Sequence, residues 1–242
     1  MKQAKLGELE VRITGGTDGD GGGDGPVVVL LHGFGAPGDD LVPLWRTLAV
    51  RRDATRTVRY VFPAAPLLLG PEFGEGRAWW WIDLESRMRR RAQGGSAWTD
   101  EVPEGLSRAR GQVDGLLDDI VNVLGPPPGK VVLGGFSQGA MLALDVALRS
   151  ERPLAGLVIL SGTHIAAKEW AVYLDAGSRR GLPVFMSHGK QDALLPFETA
   201  ETLRAELTAS GMEVEWHPFQ GDHGIPPEAG ARMGAFLSRV TG

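Results

Sequence analysis

The sequence predicts a single α/β domain with a mostly parallel central sheet and helices on both of its faces. The first observation behind this is a series of short, continuously apolar, β-branched runs; strands that do not alternate in polarity are buried on both sides. The second is that amphipathic segments of helical length separate these runs, which indicates right-handed crossovers between parallel strands. The third is size. The 242 residues are 43% hydrophobic and 23% charged, enough for one large core, and no linker-like segment divides them.

Along the chain, Val11 and Ile13 alternate with polar residues and read as an edge strand. Residues 15–25 are rich in Gly and Asp and are expected to be a flexible connection to the first core strand, because they offer little to bury. The core strands are expected at Val27–Leu31, Val58–Phe62, Val131–Leu133, Leu157–Leu160 and Pro183–Met186, with a weaker one at Val214–Trp216. Helices are expected near 39–51, 101–124, 138–150, 197–210 and 227–240. The Pro126-Pro127-Pro128-Gly129 run stops the second of these before the next strand. Residues 67–100 show no clear period and contain Trp79-Trp80-Trp81 and a basic cluster at Arg87, Arg89, Arg90 and Arg91. Two readings stand side by side for this excursion: part of a substrate cleft, or a surface detour with its tryptophans in the core.

Composition removes several classes of function. A net charge of −5 argues against a nucleic-acid binder. The absence of cysteine removes disulfides, thiolate metal sites and cysteine nucleophiles. The first ten residues lack the apolar stretch of a signal peptide, and no apolar run reaches the length of a membrane helix, so a cytoplasmic location is expected.

The chemistry centres on Gly135-Phe136-Ser137-Gln138-Gly139, a G-x-S-x-G pattern. With 35 glycines in the chain the pattern alone is weak. Its context strengthens it: an apolar strand directly before and a strong helix former at 140–148 directly after. A strand that turns sharply into a helix forces the serine into strained backbone angles and needs small neighbours on both sides. The hydroxyl then stands at a helix N-terminus, where free N–H groups favour developing negative charge. Ser137 is therefore the expected nucleophile.

A serine hydroxyl needs a base. In hydrolases built on such an elbow the chain order is nucleophile, acid, histidine. His32 precedes the serine; His164 and His188 precede the best acid candidates; His217 ends a strand and reads as structural. His223, in a loop between the last strand and the last helix, is the expected base. Asp192 follows the strand ending near Met186 and is the expected carboxylate that orients it. Asp222 is the rival, but a direct neighbour of the histidine seldom points back at its ring. Leu31-His32-Gly33-Phe34-Gly35 follows the first core strand, and its glycines allow close approach to a substrate carbonyl. The backbone N–H groups of Phe34 and Gln138 are the expected oxyanion donors, each contributing about 2.7–4 kcal/mol to a transition state. His32 itself is expected to brace its loop.

With these residues placed, the chain resembles the phospholipase/carboxylesterase family of α/β-hydrolases, which includes the acyl-protein thioesterases. The resemblance runs from about Val27 to Phe236 through seven ordered motifs. They are LHGFG at 31–35, FPAAP at 62–66, WID at 81–83, GGFSQGA at 134–140, LSG at 160–162, HGKQD at 188–192 and DHGIPPE at 222–228. It implies hydrolysis of carboxylic esters of short to medium chain length, with thioesters and lysophospholipids as further substrates. It also implies no metal and no cofactor, and supports Ser137, Asp192, His223, Phe34 and Gln138 in the roles given. Two departures stand out: Ala64 replaces a histidine common in the Pro-x-Ala-Pro motif, and residues 70–76 differ from the thioesterases, so the bacterial esterase branch resembles the chain more closely. By closeness to the motifs, Phe34, Leu67, Leu68, Trp81, Ile165 and Leu195 are expected to line the acyl cleft. The expected partner is a small-molecule ester; an apolar cleft of this kind also suits weak membrane or homodimer contact, without an anchoring helix. Two other readings are a non-catalytic binding protein on the same fold, which usually lacks a triad member, and an amidase or peptidase, separable by anilide substrates.

Overall fold

The computed structural model describes residues 1–48, 58–93 and 101–242. The end of the first expected helix (49–51), the part of the excursion at 94–100, and the side chains of Arg90 and Arg91 lie outside the described residues. A nine-stranded sheet forms the centre. Its core order is β1 (Lys2–Leu6), β2 (Leu9–Gly16), β5 (Arg59–Pro63), β4 (Val27–Leu31), β8 (Val131–Phe136), β9 (Gly156–Leu160), β10 (Pro183–Gly189) and β11 (Glu213–Phe219). β1, β2 and β5 are joined antiparallel, and every pairing from β5 across to β11 is parallel. The short strand β3 (Asp20–Gly22) pairs with the end of β2.

The continuous apolar runs are explained by two core layers. Val27, Val29 and Leu31 of β4 face one layer, with residues of α3 (Leu106–Asp119), α4 (Gln138–Arg149), α5 (Ala167–Asp175) and α6 (Phe197–Ala209). Val28 and Leu30 face the other, covered by α1 (Leu44–Leu48) and α7 (Pro227–Thr241). Each fully buried Val or Leu contributes roughly 1.5–3 kcal/mol, so a strand buried on both faces has no position to spare for a polar residue.

The structure adds the unexpected strand β1 and departs from the sequence expectations in three further places. The Gly/Asp stretch expected as a flexible connection contains β3, because the Asp18 carboxylate accepts the N–H groups of Asp20 and Gly22, both at 2.8 Å, and fixes a turn. Helix α5 had no clear signal: it buries only Trp170 and Leu174, too thin a stripe for a period to show. The excursion contains the two-stranded ribbon β6 (Leu67–Leu68) with β7 (Arg77–Ala78), and then α2 (Leu84–Ala92). Among the described residues, no helix is long and apolar enough to cross a membrane.

One buried charge fastens α4, the helix that follows Ser137. Asp145 is wholly enclosed, and its oxygens accept from Arg110 (2.8 Å), Arg149 (2.9 Å) and the Trp170 indole N–H (2.8 Å). Three donors from α3, α4 and α5 thus converge on one carboxylate, with Arg149 also meeting Glu169. Removing the carboxylate strands those donors, which typically costs 3–5 kcal/mol. Asp145→Ala is expected to lower unfolding free energy by about that amount in urea titration; a loss under about 1 kcal/mol would show that apolar packing alone seats α4.

Candidate active site

Strand β8 runs into α4 through a single residue. Ser137 takes φ 53° and ψ −118°, a left-handed conformation that costs on the order of 1–3 kcal/mol for a residue with a Cβ. Its own N–H donates to Leu160 O (2.8 Å), and its carbonyl accepts from Ala140 and Met141 at the start of α4. The turn fits only because position 139 is glycine: a Cβ there would drive into the Leu31 and His32 carbonyls of the neighbouring strand end. Ser137 is left at the carboxyl end of the sheet, ahead of a helix whose first two N–H groups, those of Gln138 and Gly139, have no partner within the helix.

The loop after β11 brings His223 over this turn. The ring packs against Phe136, centroids 4.8 Å apart, and Ser161 Oγ donates to Gly224 O (3.3 Å) to hold the loop. His223 Nδ1 lies 2.7 Å from Asp192 Oδ2. A carboxylate only accepts, so the proton sits on Nδ1 and Nε2 is left as the basic nitrogen. Asp192 in turn is fixed by the N–H groups of Leu194 (2.9 Å) and Leu195 (2.7 Å) on its other oxygen, with His188 Nε2 3.2 Å from Oδ2. Burial alone would raise its carboxyl, but the hydrogen bonds from His188, His223 and Leu195 outweigh burial and hold it far below the ordinary carboxylate range. Asp222, the sequence rival, points elsewhere: its Oδ1 accepts from the backbone N–H groups of Ala193 (3.0 Å) and His223 (2.8 Å) and ties the two loops together.

The loop after β4 approaches from the other side. A Cβ placed on Gly33 would stand 3.3 Å from Ser137 Cβ, so the two turns are in near contact. His32 is buried beneath this loop. Its Nε2 accepts the Ala65 N–H (2.9 Å), which puts the ring proton on Nδ1, and Nδ1 donates to Gly33 O (2.8 Å). The following peptide is trans, so the Phe34 N–H faces the opposite way from the pinned carbonyl. The expected bracing role of His32 thus has a defined object, the peptide carrying the Phe34 donor.

The residues expected to line a cleft divide. Leu67, Leu68 and Trp81 are exposed, at 40%, 64% and 56%, and Phe34 packs edge-on against Trp81 and Phe73. Ile165 and Leu195 are 2% and 1% exposed and belong to the core, so they present almost no surface to a ligand. Of the three tryptophans, Trp79 and Trp80 are in the core and Trp81 is exposed. No signal in the sequence points to the Gln138 side chain. It accepts from Trp79 N–H (3.0 Å) and donates to Trp80 O (2.8 Å), fastening the aromatic segment to the residue after Ser137. Among the described residues, no group of His, Asp or Glu is arranged to hold a metal ion.

Burial pushes His32 down to about 4 from the ordinary 6.5. Its folded value lies below its unfolded one, so between about 6.5 and 4 the unfolded chain takes up a proton that the folded chain refuses. Stability is therefore expected to fall as pH drops through that window, by on the order of 3 kcal/mol from this group. Urea midpoints at pH 7 and 4.5 measure it: His32→Gln is expected to be less stable at pH 7 but to lose less on acidification, and an unchanged difference would assign the effect to other groups.

Comparison with known proteins places this geometry in a family. A family model described as phospholipase/carboxylesterase matches residues 22–241. An acyl-protein thioesterase 1 from Gibberella zeae is 28% identical over 224 residues, spanning 88% of this chain and 89% of that protein. One from Schizosaccharomyces pombe is 26% identical, spanning 89% and 91%. Among solved structures, esterase PE8 superposes with a TM-score of 0.76 at 28% identity, covering 96% of this chain and 99% of that one. A Bacillus cereus carboxylesterase shares the fold at 18% identity, with a TM-score of 0.67 and coverage of 96% and 94%. A match over nearly the whole length, on an elbow and loops of this form, makes the chain a member of the phospholipase/carboxylesterase family of α/β-hydrolases.

Proposed function

We propose that this protein is a serine hydrolase that cleaves carboxylic esters of short to medium acyl length through an acyl-enzyme intermediate. The observation that carries the reading is the 2.7 Å contact between His223 Nδ1 and Asp192, with the imidazole packed on Phe136, the residue before a serine held at φ 53°. Ser137 Oγ attacks the ester carbonyl, and His223 Nε2 takes its proton. The N–H groups of Phe34 and Gln138 hold the oxyanion; Asp192 stabilises the imidazolium. His223 returns the proton to the leaving alcohol, and water repeats the sequence to release the acid. The exposed Leu67, Leu68 and Trp81, with Phe34 packed on Trp81, offer apolar surface for the acyl chain. Thioesters and lysophospholipids are further substrates of the same chemistry.

The test is hydrolysis of 4-nitrophenyl esters of two to twelve acyl carbons by the wild type and by Ser137→Ala. The variant is expected to lose on the order of 10⁴–10⁶ in kcat; equal rates in the two proteins would overturn the reading. Activity on the matching anilides instead of the esters would move the protein to the amidases. Trp81→Ala is expected to cost roughly tenfold in kcat/KM on the longer esters while sparing the shortest. A chain-length profile identical to wild type would remove Trp81 from the acyl site.

A further inference from the structure

The triad reading leaves one buried group beside it unused. His188 is fully enclosed, and its Nε2 faces two atoms at once: Leu195 O at 2.9 Å and Asp192 Oδ2 at 3.2 Å. Both are acceptors only, so the ring proton must sit on Nε2 and be shared between them. Nδ1 is buried without a partner, which is consistent with a bare lone pair there and not with a second N–H. The ring packs at a tilt against Phe197, centroids 6.3 Å apart, and Phe197 packs in turn on Trp216. A rigid donor is thus built against the same carboxylate oxygen that meets His223.

We propose that His188 is a positioning residue for the triad: its shared Nε2–H fixes the Asp192 carboxylate and takes up part of its charge, so that His223, once protonated, is held less tightly than an unshared carboxylate would hold it. The proposal rests on the triad reading above. Its physical basis is the direction of the N–H dipole. The positive end lies between Leu195 O and Asp192 Oδ2, the oxygen that also meets His223, so it supports negative charge on Asp192 and opposes positive charge on the imidazole. The double task of a base, to accept a proton and then to surrender it, requires such a balance. The same proton ties Leu195 O to the carboxylate that already accepts Leu195 N–H, closing the 192–195 turn on itself.

The charged and titratable neighbours are few. The loop after β11 brings Asp222, bound to the Ala193 and His223 amides, and the loop after β10 brings Asp192 and the exposed Lys190. Among the described residues, the contacts from β8, the turn after β9, β11 and α6 come from Phe136, Ser161, Trp216 and Phe197, which carry no charge. Asp222 is common to all the variants below, so a change between them reports His188.

The experiment is the pH profile of kcat/KM on 4-nitrophenyl butyrate for wild type, Ser137→Ala, His188→Met and His188→Gln. Methionine fills similar space without a donor; glutamine places an N–H near the position of Nε2. His188→Met is expected to lose about tenfold in plateau kcat/KM, mostly in kcat, and to shift the acid limb upward by about half a pH unit. His188→Gln is expected to restore the limb and to stay within about threefold of wild type. A folded His188→Met with the wild-type limb, a limb displaced downward, or a His188→Gln as impaired as His188→Met would each overturn the proposal while leaving the triad intact. An active Ser137→Ala would instead overturn the triad reading and this proposal with it. Should His188→Met not fold, ¹⁵N-resolved spectra of the wild-type ring decide: a proton on Nε2 supports the proposal, and a proton on Nδ1 sinks it.

Discussion

The structure depends on how closely β8 and α4 approach their neighbours around Ser137. A strand in the middle of a parallel sheet has partners on both sides, and here it must become a helix within one residue. Its turn is therefore pressed between the ends of β4 and β9: Ser137 N–H is taken by Leu160 O on one side, and Gly139 lies against the Leu31 carbonyl on the other. The backbone angles of Ser137 are a consequence of that confinement. Strain of this kind persists only where the surroundings over-determine it, and here they do so through two core layers and the buried Asp145 anchor behind the helix.

The groups around the elbow are each held from behind by bonds that join one side chain to backbone. His32 pins the peptide ahead of Phe34, Ser161 holds Gly224, Asp222 binds two amides, and the Leu194 and Leu195 amides fix Asp192. The side chains involved are short or ring-shaped, so holding them costs less ordering entropy than long side chains would. The site can therefore be built from loops without being as loose as loops usually are.

Much of this was legible in the sequence, for identifiable reasons. The core strands of the parallel region were visible because burial on both faces leaves no alternation, and Val27–Leu31 needed no other evidence. Asp192 and His223 were reachable by elimination on chain order, and they stand in contact. What was not legible depends on distance in sequence and on side-chain direction. Ile165 and Leu195 were near the motifs but point into the core, whereas Phe73, which packs on Phe34 and Trp81, had no motif around it. Gln138 was placed for its amide; that its side chain reaches across 58 residues to Trp80 could only come from coordinates. β1 lacks a clean pattern because it is an edge strand with only Leu6 buried.

The way the aromatic segment is attached has an evolutionary consequence. Residues 77–80 are fixed to the loop after β4 and to Gln138 through main-chain atoms: Arg77 N–H and C=O pair with Ala36 and Gly35, Trp79 N–H and Trp80 C=O with the Gln138 amide. None of these bonds asks what side chain is carried at 67, 68, 73 or 81. Mutation can therefore exchange this exposed surface while Ser137, Asp192 and His223 stay where the strand ends put them. A lineage built on this plan can change what it recognises far more readily than what it does.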